Sequence, residues 1–404
     1  MNFDVAILGA GPAGLAAARA AARSGKSIVV IDDNLTPGGQ IWRGASQIPL
    51  PDRVKLLSQT RLFSVEPGFT LNTDRHGAVR AAALILATGA RELFLPFPGW
   101  TQPGVFGAGG LQAHVKSGLD IKGKRVLVAG SGPLLMAVAA TLRKHGAKIP
   151  AIVEQAPFSA LLPWIKRYPA KLPQAIGLRA RLLGVSYKTG VWPTRFEPGQ
   201  VTLSNGRTVR IDYLACGWGL VPNTEVAQHL GCRLDDGFVA VDSRQRTTVD
   251  GVYCAGEPTG IGGLDKALEE GERAGAAATG QPVSRRRTHT GAFVRDLAAA
   301  FTLRHQLYSL AEPGTIVCRC ESVPHSALAP YREWRDAKLQ TRCGMGACQG
   351  RICGPIVNHL FGWTPSSVRP PLFPVSAEAL LTAETPPAPE SGRSDSAHLS
   401  SPSE

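Results

Sequence analysis

Five of the eight cysteines, Cys318, Cys320, Cys343, Cys348 and Cys353, fall within one short stretch, and none lies in the first 215 residues. Thiolates this numerous and this close bind soft metal, either zinc or an iron–sulfur cluster, rather than build the disulfide framework of a secreted domain. The run is Cys318-Arg319-Cys320, then 22 residues, then Cys343-Gly-Met-Gly-Ala-Cys348 and Cys353. Zinc sites space each ligand pair by two to four residues, and a Cys-x-Cys pair is less common there. Buried, incidental thiols are the third reading. A cluster needs four ligands; Cys318, Cys320, Cys343 and Cys348 are the expected set, with Cys353 as the alternative. The glycines around Cys343 and Cys348 let backbone N–H groups point at sulfur, which raises a cluster's reduction potential.

A second kind of chemistry is written in glycine. Gly9-Ala-Gly11-Pro12-Ala13-Gly14 follows the apolar run Asp4–Leu8 and precedes an Ala-rich stretch. Gly9 allows the tight turn, Gly11 lets the backbone approach a pyrophosphate, and Gly14 lets the helix pack close to the strand. The helix N-terminus then presents free N–H groups and the positive end of its dipole to phosphate. Asp32 ends the next strand, where a carboxylate can hold ribose hydroxyls. A second unit repeats the pattern: the strand Arg125–Ala129, the loop Gly130-Ser-Gly132-Pro-Leu-Leu135, a helix through Lys144, and a strand ending on Glu154. Leu135 stands where the third glycine would be, and Pro133 removes one N–H donor. Gly130, Gly132 and Glu154 are the tentative second nucleotide site, with NAD(P) and ATP both open as occupants.

The elements that must position these groups are read from local pattern. Ser27–Ile31 is expected as the second strand, Leu84–Ala90 as a strand running into a Thr-Gly turn, and Leu214–Gly219 as its counterpart in the second unit. Helices are expected from Leu15 to Ser24, from Leu264 to about Thr279, and through the apolar spacing of Val294–Leu310. Residues after about Ala383 are rich in Pro, Ser, Glu and Ala and are expected to be disordered.

Composition bounds the remainder. The 404 residues suit two to three domains, and no apolar run approaches the length of a membrane span. A strand pattern begins at once after Met1, so no secretory leader is expected and the expected location is the cytoplasm. The net charge is +13, and most of it comes from residues 143–210, where twelve Lys and Arg face two acids. Without a basic repeat or an aromatic platform this excess does not indicate nucleic acid; an anionic nucleotide or an acidic partner surface fits it. The nine histidines show no triad or metal spacing. His114 and His145 are expected to be structural, and no catalytic acid or base is assigned. Disulfide reductase chemistry is excluded by the empty first half of the cysteine map, since Pro37–Arg43 after the first unit contains no cysteine.

The glycine loop, Ala87-Thr88-Gly89 and Gly251–Glu257 together resemble the flavoproteins built on two dinucleotide-binding domains. Pro37-Gly-Gly-Gln-Ile-Trp-Arg43, Pro96–Trp100, Gly130–Leu135 and the Cys-Gly-Met-Gly-x-Cys-Gln-Gly-Arg run narrow the match. Over about residues 1–362 the chain is similar to the FAD-binding A subunits of opine oxidases, the B subunit of hydrogen cyanide synthase, and amino-acid and hydroxyproline dehydrogenase alpha subunits. The Cys-x-Cys pair resembles the [2Fe–2S] domain of bacterioferritin-associated ferredoxin, although the 22-residue spacer is short for it. The resemblance implies an α/β fold of two dinucleotide-binding (Rossmann-like) domains, one inserted in the other, plus a small C-terminal [2Fe–2S] domain. Its expected parts are 1–115 and 235–285 for the FAD domain, 116–234 for the insertion, 286–314 for a helical linker, 315–362 for the [2Fe–2S] domain and 383–404 for the tail. It implies FAD contacts from Gly9, Gly11, Pro12, Ala13, Gly14, Asp32, Asp33, Gly39, Gln40, Thr88, Gly89, Gly256, Glu257, Gly263 and Leu264. Glu257 would meet the ribityl chain, and the helix starting at Leu264 would face the flavin pyrimidine. The implied role is electron relay through FAD and [2Fe–2S] for a separate substrate-oxidising flavoprotein of D-amino-acid-oxidase-like fold within the same complex. Peripheral attachment at the inner face of the cytoplasmic membrane and a small ferredoxin-like subunit are compatible with that role. The competing expectation is a free-standing NAD(P)H-dependent reductase. One departure stands out: such relatives carry a helix between Arg43 and Leu84, where Asp52–Gln59 is too short and polar to replace it.

Overall fold

The computed structural model describes residues 1–44, 48–169, 172–283, 291–364, 368–381 and 383. The first sheet is built from β1 (Asn2–Leu8), β2 (Ile28–Ile31), β3 (Val54–Leu57), β4 (Leu62–Glu66), β5 (Thr70–Thr73) and β6 (Gly77–Leu86), in the order β3-β2-β1-β6-β5-β4. Strands β1, β2, β3 and β6 run parallel, so β1 is covered on both faces and its Val5–Leu8 are buried. Helix α1 (Pro12–Ala22) starts three residues earlier than its alanines suggest. Pro12 at the first helical position explains this, because its fixed φ suits a helix start and its missing N–H has no intrahelical partner there. The Asp52–Gln59 segment forms β3, a strand at the sheet edge.

The chain then leaves the first sheet through β7 (Ala90–Glu92) and enters a second parallel sheet. That sheet contains β8 (Val105–Gly107), β9 (Val126–Gly130), β10 (Ala151–Glu154), β11 (Ser186–Thr189) and β15 (Tyr213–Gly217), ordered β11-β10-β9-β15-β8. Helices α2 (Ala108–Lys116), α3 (Leu134–Lys144), α4 (Phe158–Arg167) and α5 (Leu172–Arg181) flank it, and β12 (Pro193–Glu197), β13 (Gln200–Leu203) and β14 (Thr208–Arg210) form an antiparallel meander. The return passes through β16 (Leu220–Pro222), which pairs antiparallel with β7, and then α6 (Glu225–His229). After the hairpin β17 (Leu234–Asp235) and β18 (Phe238–Val239), β19 (Val252–Cys254) rejoins the first sheet beside β6. One sheet thus takes strands from both sides of an excursion that builds the other.

Helix α7 (Leu264–Ala278) packs on α1 at backbone distance. A side chain at Gly271 or Gly275 would run into the carbonyls of Ala13 and Ala17. Alanines on α1 and glycines on α7 therefore permit the approach that sets both helix starts beside the first glycine loop.

The expected linker helix divides in two. Residues 286–290 lie outside the described residues; α8 (Gly291–Ala300) follows, then a 3-10 turn at His305–Ser309. Apolar spacing continues through the break, but the carbonyls of Phe301 and Thr302 turn toward Ser131 and Gln155. The cysteine region holds β20 (Ile316–Cys318), β21 (Val323–Pro324), α9 (His325–Leu328), α10 (Trp334–Thr341) and α11 (Cys353–Phe361). Val317, Leu328, Trp334 and Val357 share one continuous core with Leu127, Val153, Phe196 and Leu214 of the second sheet. Trp100 adds a hydrogen bond from its indole N–H to the Ile316 carbonyl at 2.6 Å. The chain ends its described course in α12 (Ala377–Leu381); the expected tail, beyond Ala383, lies outside the described residues.

Candidate flavin groove and thiol cluster

The first loop has the backbone its glycines require. Gly9 has φ +104°, and a Cβ there would strike the Ala87 carbonyl; a Cβ on Gly14 would strike the carbonyl of Gly9. Gly11 differs. Its φ is −76°, and a Cβ there would meet nothing within 4 Å. Gly11 thus faces open space at the start of α1, whose first N–H groups have no side-chain cap. Asp32 ties β2 to this loop: one carboxylate oxygen accepts the Ala10 N–H at 2.5 Å and the other accepts from the Asn34 N–H at 2.7 Å. The Gly38 N–H donates to the Ala10 carbonyl, which lays Gly39 and Gln40 over the loop.

At the far end, Gly256 and Gly263 both take positive φ. Glu257 accepts the Gly263 N–H through Oε1 at 3.0 Å, while Oε2 is buried without a hydrogen-bond partner. Burial pushes the Glu257 carboxyl above its usual range. An unmade hydrogen bond at a buried carboxylate is costly unless a ligand supplies it. The loop is held by residues that local pattern did not reveal: Lys266 Nζ lies 2.9 Å from the Gly256 carbonyl, 2.8 Å from Thr259 Oγ1 and 2.7 Å from Glu270 Oε2. The four-residue spacing of Lys266 and Glu270 just after the glycine turn was the available signal. Gly9, Gly11, Pro12, Ala13, Asp32, Asp33, Gly39, Gln40, Thr88, Gly89, Gly256, Glu257, Gly263 and Leu264 all line one continuous cavity of about 2320 Å³; Gly14 is buried behind it. That exceeds the roughly 300–1,000 Å³ of a pocket for one small ligand. An open glycine, uncapped helix starts and an orphaned acceptor fit a flavin dinucleotide.

The cavity continues to the second loop. Gly130 packs on the Gly217 carbonyl, while Gly132 (φ +108°) faces open space. Leu135 is fully buried in the core under α3. Glu154 spends both oxygens on its own backbone, accepting N–H from Gly132 at 2.8 Å and Ala156 at 2.9 Å. Its neighbour Gln155 donates to Ser131 Oγ at 3.0 Å and to the Thr302 carbonyl at 3.1 Å, and accepts the Arg304 N–H at 3.1 Å. Residues 301–304 therefore lie against this loop beside Glu154. Glu92, also hidden in the sequence, accepts N–H from Gly109 and Gly110 at the start of α2 and lines the passage between the two loops.

Burial raises the Glu154 carboxyl from 4.5 to about 7. A raised folded value means the folded chain binds this proton more tightly than the unfolded chain. The resulting stabilisation is complete below about pH 4.5 and is lost as pH rises through about 7, amounting to about 3 kcal/mol. The thermal midpoint of the Glu154→Gln variant is expected to fall less than that of the parent chain between pH 5 and 8; parallel curves would refute this.

All five late cysteines meet. Cys318, Cys343 and Cys353 are buried, with sulfurs within 4.8 Å of one another. Cys353 is in hydrogen-bond contact with Cys318, Cys343 and Cys348, and Cys348 reaches on to the exposed Cys320. Cys353, expected only as the alternative ligand, thus stands in the middle of the thiol chain. Contacts from the Cys343 and Cys353 thiols hold Cys318 down to about 2, and contact from Cys353 lowers Cys348 to about 5, while Cys343 is pushed up to about 12 by its contact with Cys318. Backbone N–H groups of Gly344 and Glu321 point at Cys318, and those of Ile352 and Gly350 at Cys348. Convergent thiols with amide donors suit a soft metal or cluster. The other three cysteines are buried away from the cluster, Cys216 and Cys254 in strands and Cys232 in a loop, and burial raises the thiols of Cys216 and Cys254 and leaves them inert.

Residues 3–274, the span carrying both glycine loops, match the family described as pyridine nucleotide-disulphide oxidoreductase. The chain belongs to this family. FAD and pyridine nucleotide binding are properties of that family, and this member is a flavin-dependent oxidoreductase of Rossmann-like architecture. No cysteine is among the described residues that line the groove. It is 30% identical to the A chain of opine oxidase from Rhizobium meliloti (strain 1021), over 93% of this chain and 97% of that one. It is 31% identical to hydrogen cyanide synthase subunit HcnB of Pseudomonas aeruginosa, over 87% of this chain and 91% of that one. Both relatives are named as subunits of larger enzymes. Among solved structures, L-proline dehydrogenase from P. horikoshii shares the fold with a TM-score of 0.67 at 20% identity, over 94% of this chain and 79% of that one. Thioredoxin reductase of T. acidophilum does so with a TM-score of 0.55 at 24% identity, over 69% and 98%. No helix among the described residues is long and apolar enough to cross a membrane.

Proposed function

We propose that this flavoprotein is the electron-relaying subunit of a heteromeric amino-acid or imino-acid dehydrogenase of opine, glycine or hydroxyproline type. The observation that carries this reading is the joining of the thiol chain to the wall of the flavin-type groove within one molecule. Bound FAD would accept electron pairs and a [2Fe–2S] cluster would pass electrons singly. The chain's own residues hold and orient. The first turn of α1 and Gly11 receive the pyrophosphate, and Asp32 and Asp33 border the ribose end. Glu257 Oε2 accepts a ribityl hydroxyl, and the start of α7 stabilises negative charge on the reduced ring. Four of the five clustered cysteines, Cys318, Cys320, Cys343, Cys348 and Cys353, would hold the iron. On this reading no side chain here moves a substrate proton, and C–N bond oxidation belongs to a partner, a flavoprotein subunit of D-amino-acid-oxidase-like fold. Visible and EPR spectra of chain purified without oxygen are expected to show one flavin and one [2Fe–2S] cluster. A colourless protein would instead make it an assembly scaffold.

The open face of Gly132 favours a second reading, a reductase fed by NAD(P)H or a subunit holding ATP there. The docked linker at Ser131 and Gln155 weighs against a dinucleotide in its usual pose. Anaerobic mixing with NADH separates the readings: the relay is expected to leave the flavin oxidised over seconds, and rapid bleaching would establish the reductase.

A further inference from the structure

Arg351 lies between Cys348 and Cys353, yet its guanidinium turns to the cavity. Its side chain is 16% exposed, lies 4.0 Å from Glu225 Oε1, donates to the Leu372 carbonyl at 2.7 Å and stacks 3.8 Å from the centre of the Phe373 ring. Its own carbonyl accepts from Arg91 Nε at 2.9 Å. Arg91 in turn lies 2.8 Å from Glu225 and donates to Asn223 Oδ1 at 2.7 Å. The Asn223 side-chain amide donates to the Thr88 carbonyl, and Thr88 Oγ1 donates to the Asn223 carbonyl. Polar contacts therefore run unbroken from the cysteine loop to the Thr88-Gly89 edge of the groove. Leu372, the third anchor, donates its N–H to the Phe63 carbonyl of β4. Two guanidinium groups share one half-buried carboxylate, so without Glu225 they would repel each other where water screens them little.

We propose that Arg351 is a positioning residue that latches the cysteine loop onto the flavin-facing cavity and thereby fixes the gap electrons must cross. This rests on the iron–sulfur reading above. Only a planar fork can serve Leu372, Phe373 and Glu225 at once; a lysine supplies the charge without the geometry.

The test uses full-length chain purified without oxygen, with the flavin photoreduced by a light flash and the cluster followed by absorbance. Arg351→Gln is expected to retain flavin and iron but slow flavin-to-cluster transfer about ten- to hundredfold, the effect of a loosened geometry. Arg351→Lys is expected to recover little of this. Glu225→Gln, outside the cysteine loop, is expected to slow transfer in the same direction and keeps the test available should Arg351→Gln fail to fold. Hydrogen exchange of 343–353 and 368–373 is expected to quicken in each variant. Unchanged transfer with unchanged exchange overturns the proposal, as does a shift in cluster potential that accounts for the whole slowing. An iron-free parent chain overturns the iron–sulfur reading instead, and the exchange comparison then decides the latch alone.

Discussion

Replacing Gly11 by valine is expected to give a folded chain that has lost its flavin. The backbone at Gly11 is extended (φ −76°, ψ −176°), a conformation that suits valine, and a Cβ there meets no protein atom within 4 Å. The added methyl groups instead enter the space before α1 where a pyrophosphate approaches. Overlap there costs about 3 kcal/mol, or roughly a hundredfold in Kd for FAD. Gly14→Ala is the informative contrast, because its Cβ runs into the Gly9 carbonyl and must move backbone. That variant is expected to lower the melting temperature with or without flavin. Flavin titration and thermal melting of the two variants check both halves; full flavin affinity in Gly11→Val would remove the first loop from the site.

Cys353→Ser is expected to lower iron content about tenfold or more, because a serine hydroxyl is a poor, hard ligand for iron. Cys353 touches three other thiols, more than any other cysteine of the cluster. Cys343 shares a buried triangle with Cys318 and Cys353, while the exposed Cys320 reaches the cluster through Cys348. Five thiols for four positions leave one outside, so serine at a ligand should empty the cluster and serine at the spare thiol should leave it in place; Cys320→Ser and Cys343→Ser make that comparison at an exposed and a buried position. Iron analysis with EPR decides this. Full iron in Cys353→Ser would refute the assignment.

Much of the architecture was legible in local sequence because glycine spacing and strand hydrophobicity obey short-range rules. Gly9, Gly11 and Gly14 announce a phosphate loop, since turn, approach and helix packing each demand a missing side chain within six residues. The helix from Leu264 announced itself through the glycine turn before it. The segment at Asp52–Gln59 did not, because a four-residue edge strand carries too little pattern to distinguish it from a loop. The linker's break at Phe301 was equally hidden, since its cause lies in Ser131 and Gln155, over 140 residues away.

The site residues divide in the same way. Asp32 and the cysteines stand out through type and spacing, and Glu257 through the resemblance of Gly251–Glu257 to the flavoproteins. Lys266, Glu92, Asn223 and Arg351 do not, because each is an ordinary polar residue until folding buries it against a partner. What the sequence determined by itself was the chemistry at hand: two glycine loops, five clustered thiols and no redox disulfide pair near the first loop. Tertiary structure alone decided that Cys353 sits amid the thiols, that the linker lies across the second loop, and that Arg351 bridges the thiol loop to the groove. These are facts of long-range packing. Loop closure brings together residues far apart in the chain, and no local spacing encodes which of them will meet.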